Sequence, residues 1–204
     1  MWPIRCLNMN NLFKDRVSQH FLFNSLNSAV ALCRKDPEAA AGLILEISTY
    51  LQKSLEDKAF LIPLKEELEH VSSYVNIQKA RFPDRLKIEL DLDEDSRYLI
   101  PAYTLQPLLD NAIRHGTLKK KQGGTVILSI KKLQHSVRIT VQDDGAGIPA
   151  RQQDTLLKSR NKQHSLYKID HRLKMIGFDG LNIHSLQDEG TTVTFDIPGD
   201  LRSS

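Results

Sequence analysis

Apolar residues recur every three or four positions through the first 80 residues, which is the period of amphipathic helices. Leu22, Leu26, Ala29 and Cys33 form one stripe, and Ile44, Ile47, Leu51 and Leu55 form another. Asp36-Pro37 divides them, with the proline at a first-turn position where its missing N–H costs nothing. Leu64, Leu68, Val71 and Val75 predict a third helix beginning near Pro63. Successive helices of this kind pack as a hairpin or bundle.

From Arg85 the period shortens to two. Leu86, Ile88, Leu90 and Leu92 alternate with Lys87, Glu89 and Asp91, the pattern of a half-buried strand. A helix is expected from about Ala102 to Gly116. Two alternating strands follow, Val126/Leu128/Ile130 and Val137/Ile139/Val141, joined by a polar turn at Gln134-His135. Helices are expected near Pro149–Leu157 and Tyr167–Met175. A last hairpin uses Leu181/Ile183 and Val193/Phe195/Ile197 around Asp188-Glu189-Gly190. The fold class is therefore α+β: a helical part over residues 1–62, then a mixed, mostly antiparallel sheet carrying helices over 63–204.

Composition narrows the class without naming a function. The 204 residues are 40% hydrophobic and 26% charged, the balance of a soluble globular chain. A net charge of +3 argues against nucleic acid as a partner, and Lys119-Lys120-Lys121 fits a solvated turn. Cys6 and Cys33 lack metal-ligand spacing, and Cys33 is expected in the core. No apolar run approaches the roughly 20 residues that span a bilayer, and the first 20 residues do not form a signal peptide. A cytoplasmic location is expected, with any membrane attachment through a sensor segment absent from this chain.

Three segments carry candidate chemistry. In Ser18-Gln19-His20-Phe21-Leu22-Phe23-Asn24-Ser25-Leu26-Asn27, a turn of about 100° per residue puts His20, Asn24 and Asn27 on one narrow polar stripe. A histidine there, with amides to orient its ring, suits a nucleophile acting through a neutral nitrogen. In Leu105–Gly116, Asp110, Asn111 and Arg114 project from the face opposite Leu105, Leu108 and Leu109. Asn111 offers a hard oxygen for Mg²⁺, and Arg114 a cation for phosphate. In Val141-Gln142-Asp143-Asp144-Gly145-Ala146-Gly147, Asp143 continues an inward-facing strand column and needs a donor partner, such as an adenine amino group. Gly145 and Gly147 allow close backbone approach. Taken singly, each segment also fits a bland reading: a surface histidine, an i,i+4 ion pair, an Asp-Gly turn.

In order and spacing, the three together resemble the LytS-type sensor histidine kinases. His20–Asn27 is similar to that family's HFLFNxLN acceptor motif, Leu105–Gly116 to its LQPLxENAxxHG nucleotide motif, and Asp143–Gly147 to its DNGxG motif. Leu64–Phe82 resembles the connector, and residues 190–198 the closing strand. The resemblance implies a Bergerat-type α/β sandwich behind a helical hairpin that pairs in a homodimer as a four-helix bundle. It implies ATP and Mg²⁺ as cofactors and a response regulator receiver domain as partner. His20 would be the phosphoacceptor, with Asn24 and Asp110 catalytic. Asn111 would hold the metal, and Arg114, His115, Asp143, Gly145, Gly147, Lys168 and Thr192 would serve the nucleotide, Thr192 backing Asp143.

The sequence departs from the family in its ATP lid. The family's glycine-rich stretch is replaced by Asn161-Lys162-Gln163-His164-Ser165-Leu166-Tyr167-Lys168, although the following Arg172-Leu173 is intact. Glycines there would let backbone N–H groups converge on phosphates. Two readings follow: an active kinase, with Lys162 or Lys168 compensating, or a dimeric interaction module with impaired catalysis. A water-directed ATPase fits less well, because Pro107 occupies the position of its glutamate base.

Overall fold

The computed structural model describes residues 19–93, 98–157, 165–199 and 201, apart from the side chains of 150, 154 and 155. The expectations for Cys6, Ser18 and residues 161–164, including Lys162 and Gln163, lie outside the described residues. The chain divides into two compact units between Asp57 and Lys58.

The first unit is a hairpin of α1 (Gln19–Leu32) and α2 (Pro37–Leu55). Asp36 caps α2 by accepting from the Ala39 N–H at 3.0 Å, a contact worth about 1 kcal/mol. The faces that meet are Phe21, Ser25 and Ala29 on α1 and Ala40, Leu43, Ile47 and Tyr50 on α2. Phe21 and Tyr50 stack edge to face, 5.1 Å between centroids. This corrects the expected stripes. Leu26, Ile44 and Leu55 are exposed, as is Cys33, and only Ala29 and Ile47 of the two stripes are buried. The reason is that both helices are apolar on more than one face, and Ser25 enters the buried one by donating to Phe21 O of its own helix.

The second unit is the expected sandwich. Its elements are β1 (Leu61–Pro63), α3 (Leu64–Arg81), β2 (Leu86–Leu92), β3 (Leu99–Pro101), α4 (Leu105–Asn111), β4 (Gly124–Lys132), β5 (Ser136–Asp143), α5 (Ala150–Leu156), α6 (Ser165–Met175), β6 (Asn182–Leu186) and β7 (Gly190–Pro198). The main sheet runs β2-β4-β5-β7-β6. The β2–β4 pair is parallel and every other pair antiparallel. A crossover through β3 and α4 joins the parallel pair, as such pairs require. β1 and β3 form a separate two-stranded ribbon.

Alternation buries one column per strand, such as Val126/Leu128/Ile130 and Val137/Ile139/Val141, with helices α3, α4 and α6 supplying Tyr74, Ile77, Leu105, Leu109 and Leu173 to the core. The expected helix over 102–116 is shorter and irregular. It starts at Leu105, because Tyr103 holds a left-handed φ of 59°. After Asn111 it widens into a π-helical turn, Ala112–Gly116, closed by Thr117 Oγ1 donating to Ala112 O. Such wide turns gather at functional sites.

Candidate nucleotide-binding site

The site grows from the inner end of β5. Asp143 is the last residue of the column Val137, Ile139 and Val141, and register pairs it with Val126 on one side and Thr191 on the other. Its carboxylate is 5% exposed and accepts from the Gly145 N–H at 2.9 Å. Burial pushes its pKa up to about 6, with Asp144 adding to the rise, while the backbone N–H groups of Gly145 and Thr191 pull the other way. A carboxylate in that position gains from any donor presented to it.

Above Asp143 lies a cavity of about 340 Å³, a size that admits a small ligand. Leu108, Ala112, Ile148, Leu166 and Val193 make its apolar walls, and Asn111, His115, Lys119, Gln152 and Thr191 its polar rim. The apolar walls suit a flat heterocycle, with Asp143 able to read one edge of it.

Glycine has a physical reason at two positions of this floor. A Cβ on Gly145 would lie 2.0 Å from the Gly116 backbone, so the two chains touch there. Gly147 combines φ +63° with a close approach to Leu186 O, conditions other residues meet only with strain. The loop is pinned further by Lys120, whose Nζ donates to Asp144 O and to Asp188 O at 2.9 Å. Lys120 is thus held in place rather than solvated, and Lys119 lines the cavity.

Asn111 stands at the end of α4. Its Nδ2 donates to Pro107 O at 2.8 Å and to Ser165 Oγ at 2.6 Å. Both amide hydrogens are thereby engaged, which leaves the Oδ1 oxygen for a hard cation. Residues and metal fit: Mg²⁺ takes one or two protein oxygens and completes its shell with water and phosphate. His115, also on the rim, has its pKa lowered by burial and by the nearby Arg114, which favours the neutral ring.

Not every expected residue reaches the cavity. Arg114 is exposed and pairs with Asp110 at 3.2 Å, and neither lines the wall. Asp110 also accepts from the Tyr74 hydroxyl at 2.9 Å. Lys168 is exposed on α6 and absent from the wall. Thr192 is corrected to Thr191. Directly paired residues share a face, and the partner of Thr192 is Gln142, on the opposite face from Asp143. Thr191, Lys119, Gln152 and Ser165 were missed from sequence; only Thr191 had a readable signal, by counting register back from the Gly190 turn.

His20 and Asn24 belong to the helical unit. Asn24 Nδ2 lies 3.1 Å from both ring nitrogens of the exposed His20, so this amide can steady the ring in either neutral tautomer.

A sandwich with an aspartate floor, an asparagine at a helix end and glycine-shaped contacts defines a nucleotide-binding domain of the histidine kinase and ATPase class. Residues 99–201 match the family model for histidine kinase-, DNA gyrase B-, and HSP90-like ATPases, and residues 9–86 match that for histidine kinases. The sensor protein LytS of Bacillus cereus is 36% identical over 194 residues, covering 90% of this chain and 33% of that protein. The sensor histidine kinase YpdA of Escherichia coli is 35% identical over 188 residues, covering 91% and 33%. Among solved structures, the histidine kinase domain of a blue-light activated histidine kinase from Erythrobacter litoralis shares the fold, with TM-score 0.52, 19% identity and 95% and 93% coverage. The catalytic domain of histidine kinase ThkA does so with TM-score 0.55, 16% identity and 70% and 98% coverage. The chain belongs to the histidine kinase-, DNA gyrase B-, and HSP90-like ATPase family, and in sequence it is similar to the LytS sensor proteins. It spans about a third of the length of these LytS and YpdA relatives.

Proposed function

We propose that this chain is the signalling core of a two-component sensor: it binds ATP with Mg²⁺ and transfers the γ-phosphoryl group to His20. The observation that carries the reading is the buried Asp143 carboxylate in a cavity that Asn111 also lines. Asp143 accepts from the adenine amino group, the apolar walls cover the ring, and Asn111 Oδ1 faces the phosphate side. When bound, Mg²⁺ neutralises the phosphate oxygens and orients the chain for in-line displacement.

A neutral His20 nitrogen attacks the γ-phosphorus with its lone pair. The P–N bond forms as the bond to the bridging oxygen breaks, and ADP leaves with that electron pair. Asn24 holds the imidazole during the attack. The phosphoryl group then passes to an aspartate of a response regulator receiver domain.

The hairpin favours a homodimer. Phe23, Val30, Leu45 and Leu55 are each at least 65% exposed in the single chain, and a second copy would bury them in a four-helix bundle. The test of the whole reading is titration of ATP·Mg²⁺ against the chain, with Asp143→Asn as the comparison. Binding that the substitution abolishes supports it; binding that survives unchanged puts the site elsewhere.

A further inference from the structure

A polar seam is buried where the structure has most reason to be apolar. Glu67, His70, Tyr74 and Gln78 lie on one face of α3 at spacings of three, four and four, and none is more than 1% exposed. Three of them bond to the α4 region. His70 Nε2 meets Gln106 Oε1 at 2.8 Å, and Tyr74 reaches Asp110. Glu67 makes the strongest attachment. Its Oε2 accepts from Tyr103 N, and its Oε1 from Thr104 N and Leu105 N, at 2.7–2.9 Å. These are the N–H groups that a helix start leaves without intrahelical partners.

The same turn is gripped from the other side. Arg172 of α6 donates through Nη1 to Ala102 O and through Nη2 to Tyr103 O, both at 2.9 Å, and to Thr104 Oγ1 at 3.0 Å. Two turns back along α6, Ser165 accepts from Asn111, itself two turns along α4 from Thr104. Helices α4 and α6 are therefore bridged at both ends, and the bridge at the far end is the amide assigned to the metal.

We propose that Glu67 and Arg172 are positioning residues for Asn111, locking α4 between α3 and α6 so that the amide oxygen is presented to the metal and phosphates. The inference rests on the metal assignment made above. Asp143, which reads the adenine edge, stands on β5, which this clamp does not touch. The walls that cover the ring draw on Leu108 and Leu166 of the clamped helices as well as on Ile148 and Val193 outside them. Loosening the clamp therefore weakens the phosphate side more than the adenine side, whose Asp143 contact stays in place, a separation that general loss of packing would not produce. Outer partners that orient a ligand typically change metal affinity by about 10–100-fold.

The test uses the whole chain and the variants Glu67→Gln, Arg172→Lys and Thr104→Val, the last removing one Arg172 contact and the Thr104 hydroxyl's bond to Pro101 O without touching a charge. Val137→Ala, a buried site far along β5, serves as the destabilised control. AMP affinity and the gain that Mg²⁺ gives to ATP affinity are measured by calorimetry. The clamp variants are expected to lose about tenfold of the Mg²⁺ gain and a smaller factor of AMP affinity, while the control keeps both. Amide exchange, which needs no metal, is expected to quicken over 102–111 and stay unchanged over 137–143. An undiminished Mg²⁺ gain with unchanged exchange over 102–111 would overturn the proposal, as would AMP affinity falling in parallel. A wild-type chain with no Mg²⁺ gain would count against the metal assignment instead, and the exchange result would still decide whether the clamp holds α4. Should both charged variants fail to fold, Thr104→Val decides alone.

Discussion

Gly116 lies against the carboxylate of Asp143: a Cβ built on Gly116 would fall 2.2 Å from Asp143 Oδ1. The end of the π-helical turn thus makes room for the group at the cavity floor. Gly116→Ala is expected to displace that carboxylate and weaken ATP binding roughly tenfold or more, the worth of a hydrogen bond to a charged group. Calorimetry checks the affinity, and far-UV circular dichroism checks that the fold survives.

Asp143 also sets a pH dependence. Its carboxyl titrates near 6 in the free protein, above the ordinary value, because burial disfavours the charge. Protonation turns an acceptor into a donor. ATP affinity should therefore fall as pH drops through about 6, approaching about tenfold per unit below it. The sign for stability is opposite. A raised carboxyl pKa favours the folded state at low pH, and that contribution is lost as pH rises through about 6. Affinity measured one unit above and one unit below that value checks the first statement.

The glycine-poor stretch 161–168 is expected to separate adenine recognition from phosphate recognition. ADP and ATP are expected to bind with similar, modest affinity. Gln163→Gly with Ser165→Gly should raise ATP affinity, because glycine removes the Cβ and permits N–H groups to converge on the anion. Ser165→Gly also removes the hydroxyl that meets Asn111, so Gln163→Gly alone is the cleaner comparison. A natural chain that already prefers ATP strongly over ADP would refute the expectation.

The outward apolar face of the hairpin predicts the oligomer. Val30→Glu and Leu45→Glu, at positions 70% and 68% exposed in the single chain, should convert a dimeric mass to a monomeric one in light scattering. Nucleotide affinity, which belongs to the second unit, should hold. A wild-type monomer would contradict the bundle.

What the sequence made legible follows from where a single period dominates. The column Val137, Ile139, Val141 and Asp143 was readable because one face of β5 is buried along its whole length. The hairpin faces were misread because α1 and α2 carry two apolar stripes, and Ser25 hides in the inner one through a bond to its own helix. Thr191 was misplaced by one residue, since cross-strand register depends on turn geometry that composition does not report. The α3 seam was invisible for a different reason. Glu67 and His70 look like a solvated face, and only the folded partners on 103–106 show why they are buried.

The central claim is transfer of the γ-phosphoryl group to His20, and label incorporation tests it most directly. The chain is incubated with γ-phosphate-labelled ATP and Mg²⁺, and the protein-bound label is scored before and after acid. The account predicts label that acid removes and base does not, as expected of a P–N bond, and no label on His20→Gln or Asp143→Asn. Label that persists on His20→Gln, or none on the natural chain at saturating ATP·Mg²⁺, would contradict it.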